Sequence, residues 1–90
     1  MQCYFVIFEI KDAPRRIVFI NRGLKLFKSY CPLSKNAWAI KTDEKVTTVR
    51  DRLMKLLGPS DRLYVFRSGA AGAWVNSMGE DHNQWLKKNI

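Results

Sequence analysis

Two carboxylates stand close together early in the chain: Glu9, the single charged residue in the otherwise apolar run 3–10, and Asp12 three positions later. Oxygen ligands of this kind suit a hard divalent cation such as magnesium, which takes one or two carboxylates and fills its other positions with water and phosphate. The corresponding chemistry is metal-assisted phosphodiester cleavage, and two Glu9 residues meeting across a dimer axis double the ligand count. The plainer reading is that Glu9 faces solvent or pairs with Arg15, Arg16 or Arg67, as exposed carboxylates commonly do.

Other chemistries lack their parts. His82 is the single histidine and Cys3 and Cys31 are far apart, so neither a soft-ligand zinc cluster nor a nucleophile with its base can be assembled from sequence neighbours. Cys3 in an apolar strand reads as a small core residue, and a Cys3–Cys31 disulfide is disfavoured in a chain that reads as cytoplasmic. The stretch Gly69-Ala-Ala-Gly72 lacks the Lys-Ser/Thr of a phosphate loop and has no basic residue between its glycines, so it reads as a tight turn.

Charge is more informative. Sixteen Lys and Arg against eight Asp and Glu give a net +8 over 90 residues. The excess is concentrated at the front: residues 1–41 hold eight basic side chains and two acidic ones, residues 42–90 eight and six. A field of this strength suits a polyanionic partner, DNA or RNA, and phosphate contact needs positive charge without fixed spacing. The candidate set is Arg15, Arg16, Arg22, Lys25 and Lys28. Phe5, Phe8, Trp38, Trp74 and Trp85 are more economically assigned to the core than to base stacking.

The elements that must position these residues follow from the apolar periodicity. Residues 3–10 predict a buried central strand. Residues 14–28 support two readings. Ile17, Ile20, Leu24 and Phe27 recur at helical spacing behind Pro14, with Arg15, Arg22 and Lys25 on the opposite face. Yet "RRIVFI" and "LKLFKSY" around Asn21-Arg22-Gly23 also suit a hairpin. Pro32 reads as a stop, "NAWAIKT" as a strand with Trp38 and Ile40 on one side, and Thr42 or Asp43 as the cap of a helix lined by Val46, Val49, Leu53 and Leu56 or Leu57. "DRLYVFR" is a further strand and "GAWVN" a short one, and Asp81 with Gln84 predicts a capped C-terminal helix docked through Trp85 and Leu86. The run lacks the roughly 18 apolar residues of a membrane helix and a signal-peptide pattern, so a cytoplasmic protein is expected.

This order predicts one α+β domain over residues 1–90, ferredoxin-like βαββαβ with a short C-terminal strand and helix, with helices on one face of a largely antiparallel sheet. It requires a second strand near "KSYCPL".

The segments "FEI", "PLSKNAWAIKT", "VRDRLMKLL", "DRLYVF", "SGAAGAW" and "WLKKNI" together resemble the small bacterial and phage proteins of the SinR family and the Cas-two-like relatives of the CRISPR adaptation subunit. The likeness spans nearly the whole chain, and its most specific parts are Trp38-x-Ile40-x-Thr42, Gly72-Ala73-Trp74 and Trp85-Leu86-Lys87. It implies a ferredoxin-like fold, a homodimer whose sheets associate, and a helix over residues 14–28. In the CRISPR relatives the first strand ends in Tyr-Asp-hydrophobic, with the aspartates of two subunits approaching a metal at the dimer axis. Phe8-Glu9-Ile10 stands there in this sequence, one methylene longer and without the hydroxyl. Together with the +8 charge, the resemblance supports a nucleic-acid-binding homodimer, architectural as in the CRISPR relatives; Glu9 stands where those relatives place their aspartate, and with Asp12, read from spacing alone, it makes the candidate magnesium ligand set. A metal-dependent nuclease acting through Glu9, toxin-like in the ribonuclease case, and a protein-interaction module with a protein partner are the two alternatives.

Overall fold

The alternation of the first strand is realised in a computed structural model of the chain, which describes residues 1–11, 17–69 and 72–90. β1 (Gln2–Glu9) turns Tyr4, Val6 and Phe8 to one face, and all three are buried. It is a central strand. β3 (Ala37–Thr42) pairs with it on one side and β4 (Arg62–Arg67) on the other, both antiparallel, and β2 (Ser29–Ser34) completes the sheet order β2-β3-β1-β4.

Residues 17–25 form helix α1 (Ile17–Lys25), so the hairpin reading of this segment is corrected. Ile20, Leu24 and Phe27 are buried against the sheet and Ile17 packs beside them. One hairpin has no comparable surface on which to bury this stripe, and tertiary packing outweighs the β-branched local preference. Helix α2 (Val46–Met54) adds Val49 and Leu53 to the same core, with Leu56 and Leu57 packed at its margin. The β-α-β-β-α-β order and the sheet order are compatible with a ferredoxin-like fold.

Several local expectations are corrected. Neither Thr42 nor Asp43 caps α2: its N-cap is Lys45, and the Thr42 hydroxyl instead accepts from the Glu44 backbone N–H at 3.2 Å. Pro32 does not end its segment. It sits inside β2, an edge strand with a register shift between Pro32 and Ser34, where a missing backbone donor costs little. "GAWVN" is irregular rather than a strand.

Helix α3 (Glu80–Asn89) begins one residue before Asp81, at N-cap Gly79, so Gln84 bonds to the Glu80 side chain rather than closing a capping box. It also packs on the other face of the sheet, so the helices are not confined to one side. Leu86 is buried there with Cys3, Cys31 and Ala39, and Trp85 Nε1 donates to Ser29 Oγ at 2.8 Å. No helix among the described residues is long and apolar enough to cross a membrane.

Candidate nucleic-acid interface

The position of Glu9 follows from how far α3 reaches. Cys3, Phe5, Ile7 and Glu9 share the face of β1 opposite the main core, and along them exposure rises from buried through half-buried to open. α3 covers the Cys3 end. Beyond its edge the sheet is bare among the described residues: Ile7 is exposed, and its neighbours Tyr64 and Phe66 on β4 are 50% and 55% exposed with rings stacked at 6.1 Å between centroids.

Glu9 closes this bare face. Its carboxylate lies 3.4 Å from the Arg62 guanidinium and 3.9 Å from Lys11 Nζ, not beside Arg67 as one sequence reading has it. A divalent ion seated on Glu9 within one chain would sit beside two positive charges, both of which contact Oε1. Among the described residues no group of three His, Cys, Asp or Glu side chains is arranged to hold a metal. Asp12, the other candidate magnesium ligand, lies outside the described residues, as do Arg15 and Arg16.

The remaining basic candidates divide by what they touch. Arg22 and Lys25 on α1 and Lys28 just after it are exposed, with no ion-pair partner among the described residues. Other cations are already engaged. Arg50 pairs with Asp51 at 2.9 Å, and Lys41 donates to Asn89 at 3.0 Å. Arg52 is held most firmly: it pairs with Glu44 and lies 4.3 Å over the Phe27 ring. Tyr4 OH donates to the Glu44 carbonyl at 2.8 Å, so the acid that fixes Arg52 is itself tied to β1. A guanidinium spent in this way is a structural clamp, whereas Arg22, Lys25 and Lys28 keep their donors for an outside anion.

Arg22 and Lys25 do not stand on a uniformly polar helix face. With Arg52 they edge a groove of about 530 Å³ between α1 and α2, whose apolar lining is Phe19, Gly23, Leu26, Leu53 and Leu56. Phe19 is 51% exposed and Leu26 76% exposed. Helical spacing puts Arg22 and Lys25 opposite the buried stripe, as observed, but does not show this groove or Arg52's part in it. The signal was present: Phe19, Gly23 and Leu26 follow one another at spacings of four and three, a second helical stripe beside the first. Trp74 is also corrected, being partly exposed rather than core, with Nε1 donating to Asn83 Oδ1 at 2.9 Å.

No family model matches the chain, and no curated protein matches it. Among solved structures the chain is similar to a hypothetical protein, TT1823, from Thermus thermophilus, with a TM-score of 0.69 and 21% identity, covering 83% of this chain and 90% of that one. At this identity the likeness speaks to the fold alone.

Proposed function

We propose that this chain is a small nucleic-acid-binding protein that works as a homodimer, a reading supported by its net +8 charge and by its resemblance to the Cas-two-like relatives of the CRISPR adaptation subunit. The observation that carries the reading is the set Arg22, Lys25 and Lys28, exposed and unpaired among the described residues in a chain of net +8. Such cations release condensed counterions when they meet phosphates, which gives affinity without sequence selectivity. The dimer is assigned to the bare sheet face of Ile7, Tyr64 and Phe66. An aromatic and aliphatic cluster of this kind, left uncovered by the chain's own helices, has the composition of an interface centre.

The binding experiment is a salt titration. Fluorescence anisotropy with labelled duplex DNA and single-stranded RNA is expected to show affinity falling steeply as salt rises. Replacing Arg22, Lys25 and Lys28 together by Gln is expected to weaken binding across all sequences and to flatten the log–log salt slope by about three. Absence of binding to either nucleic acid, or affinity indifferent to salt, overturns the proposal.

The nuclease alternative draws on one feature of the structure. Glu9 lies at the end of the same bare face, so face-to-face association there brings two carboxylates toward one axis. Its pairing with Arg62 and Lys11 is the ordinary state of an exposed surface carboxylate, and the binding reading is preferred.

A further inference from the structure

We infer that the groove between α1 and α2 is a docking site for an acidic amphipathic helix of a partner protein. α1 carries two apolar stripes. Ile17, Ile20, Leu24 and Phe27 are used in the core, while Phe19 and Leu26 stand open on either side of Gly23. Gly23 shapes the space between them: a Cβ there would overlap Leu56 Cδ1, so the missing side chain lets α2 approach and leaves a trough rather than a ridge. Leu56 and Leu53 form the opposite wall.

The chemistry of the occupant follows from floor and rim together. The floor offers aliphatic surface and one phenyl ring, so a nucleotide's polar edges would lose water there without gaining hydrogen bonds. The rim offers Arg22 and Lys25, both unpaired among the described residues, and these call for carboxylates. A second copy meets the groove badly. A two-fold contact through this face brings a second Arg22 and Lys25 into the same interface, and among the described residues no carboxylate lines the groove to meet them. The chain's own acidic helix end, Glu80 and Asp81 on α3, belongs to a helix whose Leu86 is already buried on the sheet. A helix with apolar residues at three- and four-residue spacing and Asp or Glu flanking them satisfies both floor and rim.

This inference shares Arg22 and Lys25 with the nucleic-acid reading and adds the apolar floor, so its test turns on the floor and on the pattern of the partner rather than on charge alone. The probe is a labelled helical peptide of about 18 residues, Leu at helical spacing and Glu on the flanks, titrated into the full chain by anisotropy. Two control peptides are used, one with the same composition in permuted order and one with Lys in place of Glu.

The patterned acidic peptide is expected to bind about tenfold or more tightly than either control. Leu26→Ser is expected to remove that advantage without shifting the melting temperature, because Leu26 is already open to water. The double variant R22E/K25E is expected to turn the preference toward the Lys peptide. Equal binding of patterned and permuted peptides overturns the inference by reducing it to net charge. It also falls if Leu26→Ser leaves the peptide affinity unchanged, if the variant lowers self-association because a second copy fills the groove, or if it weakens DNA binding while no peptide binds.

Discussion

Glu9 and Arg62 face each other across the β1–β4 ladder as a register pair, with their charged atoms 3.4 Å apart and both side chains more than half exposed. An ion pair so open to water contributes little to stability, typically well under 1 kcal/mol. Glu9→Gln is therefore expected to change the urea midpoint by less than about 0.5 kcal/mol equivalent. In the nucleic-acid assay the same variant is expected to leave affinity unchanged or slightly raised, since one negative charge is gone. Magnesium-dependent cleavage in the wild type that vanishes in Glu9→Gln would instead establish the nuclease alternative.

The bare sheet face makes a prediction about mass. Sedimentation equilibrium is expected to return two chains for the wild type and one for Phe66→Arg. Phe66 is over half exposed, so this substitution should cost no more than about 0.5 kcal/mol of monomer stability. A wild type that sediments as one chain removes the dimer from the proposed function while leaving the cation set to be judged by its own assay.

Which features could be read from residue order depends on whether their cause is local. Simple alternation puts Trp38 and Ile40 on one side of their strand, and both are buried in the main core. Ile20 and Leu24 were legible in the same way once helix was chosen over hairpin. That choice turned on a sheet surface assembled from strands far along the chain, which no window around Asn21-Arg22-Gly23 contains. Glu9 was legible as unusual but not as Arg62's partner, because the pairing depends on the register of β4, more than fifty residues later. The groove was hidden for the same reason. Phe19 and Leu26 look like additional core residues, and only the placement of α2 shows that the sheet has no room for them.

The two thiols test how completely α3 seals its side of the sheet. Cys3 and Cys31 are both buried and free, on strands separated by β3, which puts their Cα atoms roughly 10 Å apart against a disulfide limit of about 7 Å. Mild oxidation is expected to leave both reduced in the folded chain. Burial raises both thiol pKa values, more than the nearby Lys41 ammonium lowers that of Cys3 and with a further rise at Cys31 from Cys3. The native state thus holds these protons after the unfolded state has released its own. Their contribution to stability is complete below the ordinary thiol pKa and is lost as pH rises toward the raised values. Urea midpoints measured across the alkaline range should fall in the wild type and fall less in a Cys3→Ala, Cys31→Ala double variant.

Glu80 predicts an effect at the other end of the pH scale. Its carboxylate accepts from the side-chain amides of Gln84 at 2.8 Å and Asn83 at 3.0 Å, and these bonds hold its pKa below the usual carboxylate value. A depressed pKa contributes stability above the unfolded value that is lost as pH falls through the folded one. NMR titration of the Glu80 carboxyl is expected to show a midpoint below that of a model peptide, and Gln84→Ala is expected to move it upward. An unchanged midpoint in that variant would show that the Gln84 amide does not set it.

The strongest structural prediction concerns Leu86, the one fully buried anchor of α3. It packs on Cys3, Cys31 and Ala39, while the neighbouring Trp85 indole is tied to Ser29. Leu86→Ala removes a buried side chain from a small cluster and is expected to cost about 2–5 kcal/mol in urea unfolding. Because α3 covers only this end of the sheet, the loss should first appear as local release rather than global melting. Thiol labelling in native buffer is expected to accelerate at Cys31 and Cys3, while amide protons of Val6, Leu24 and Val49 keep their protection. Equal loss of protection in both places would show that the two sides of the sheet unfold as one unit.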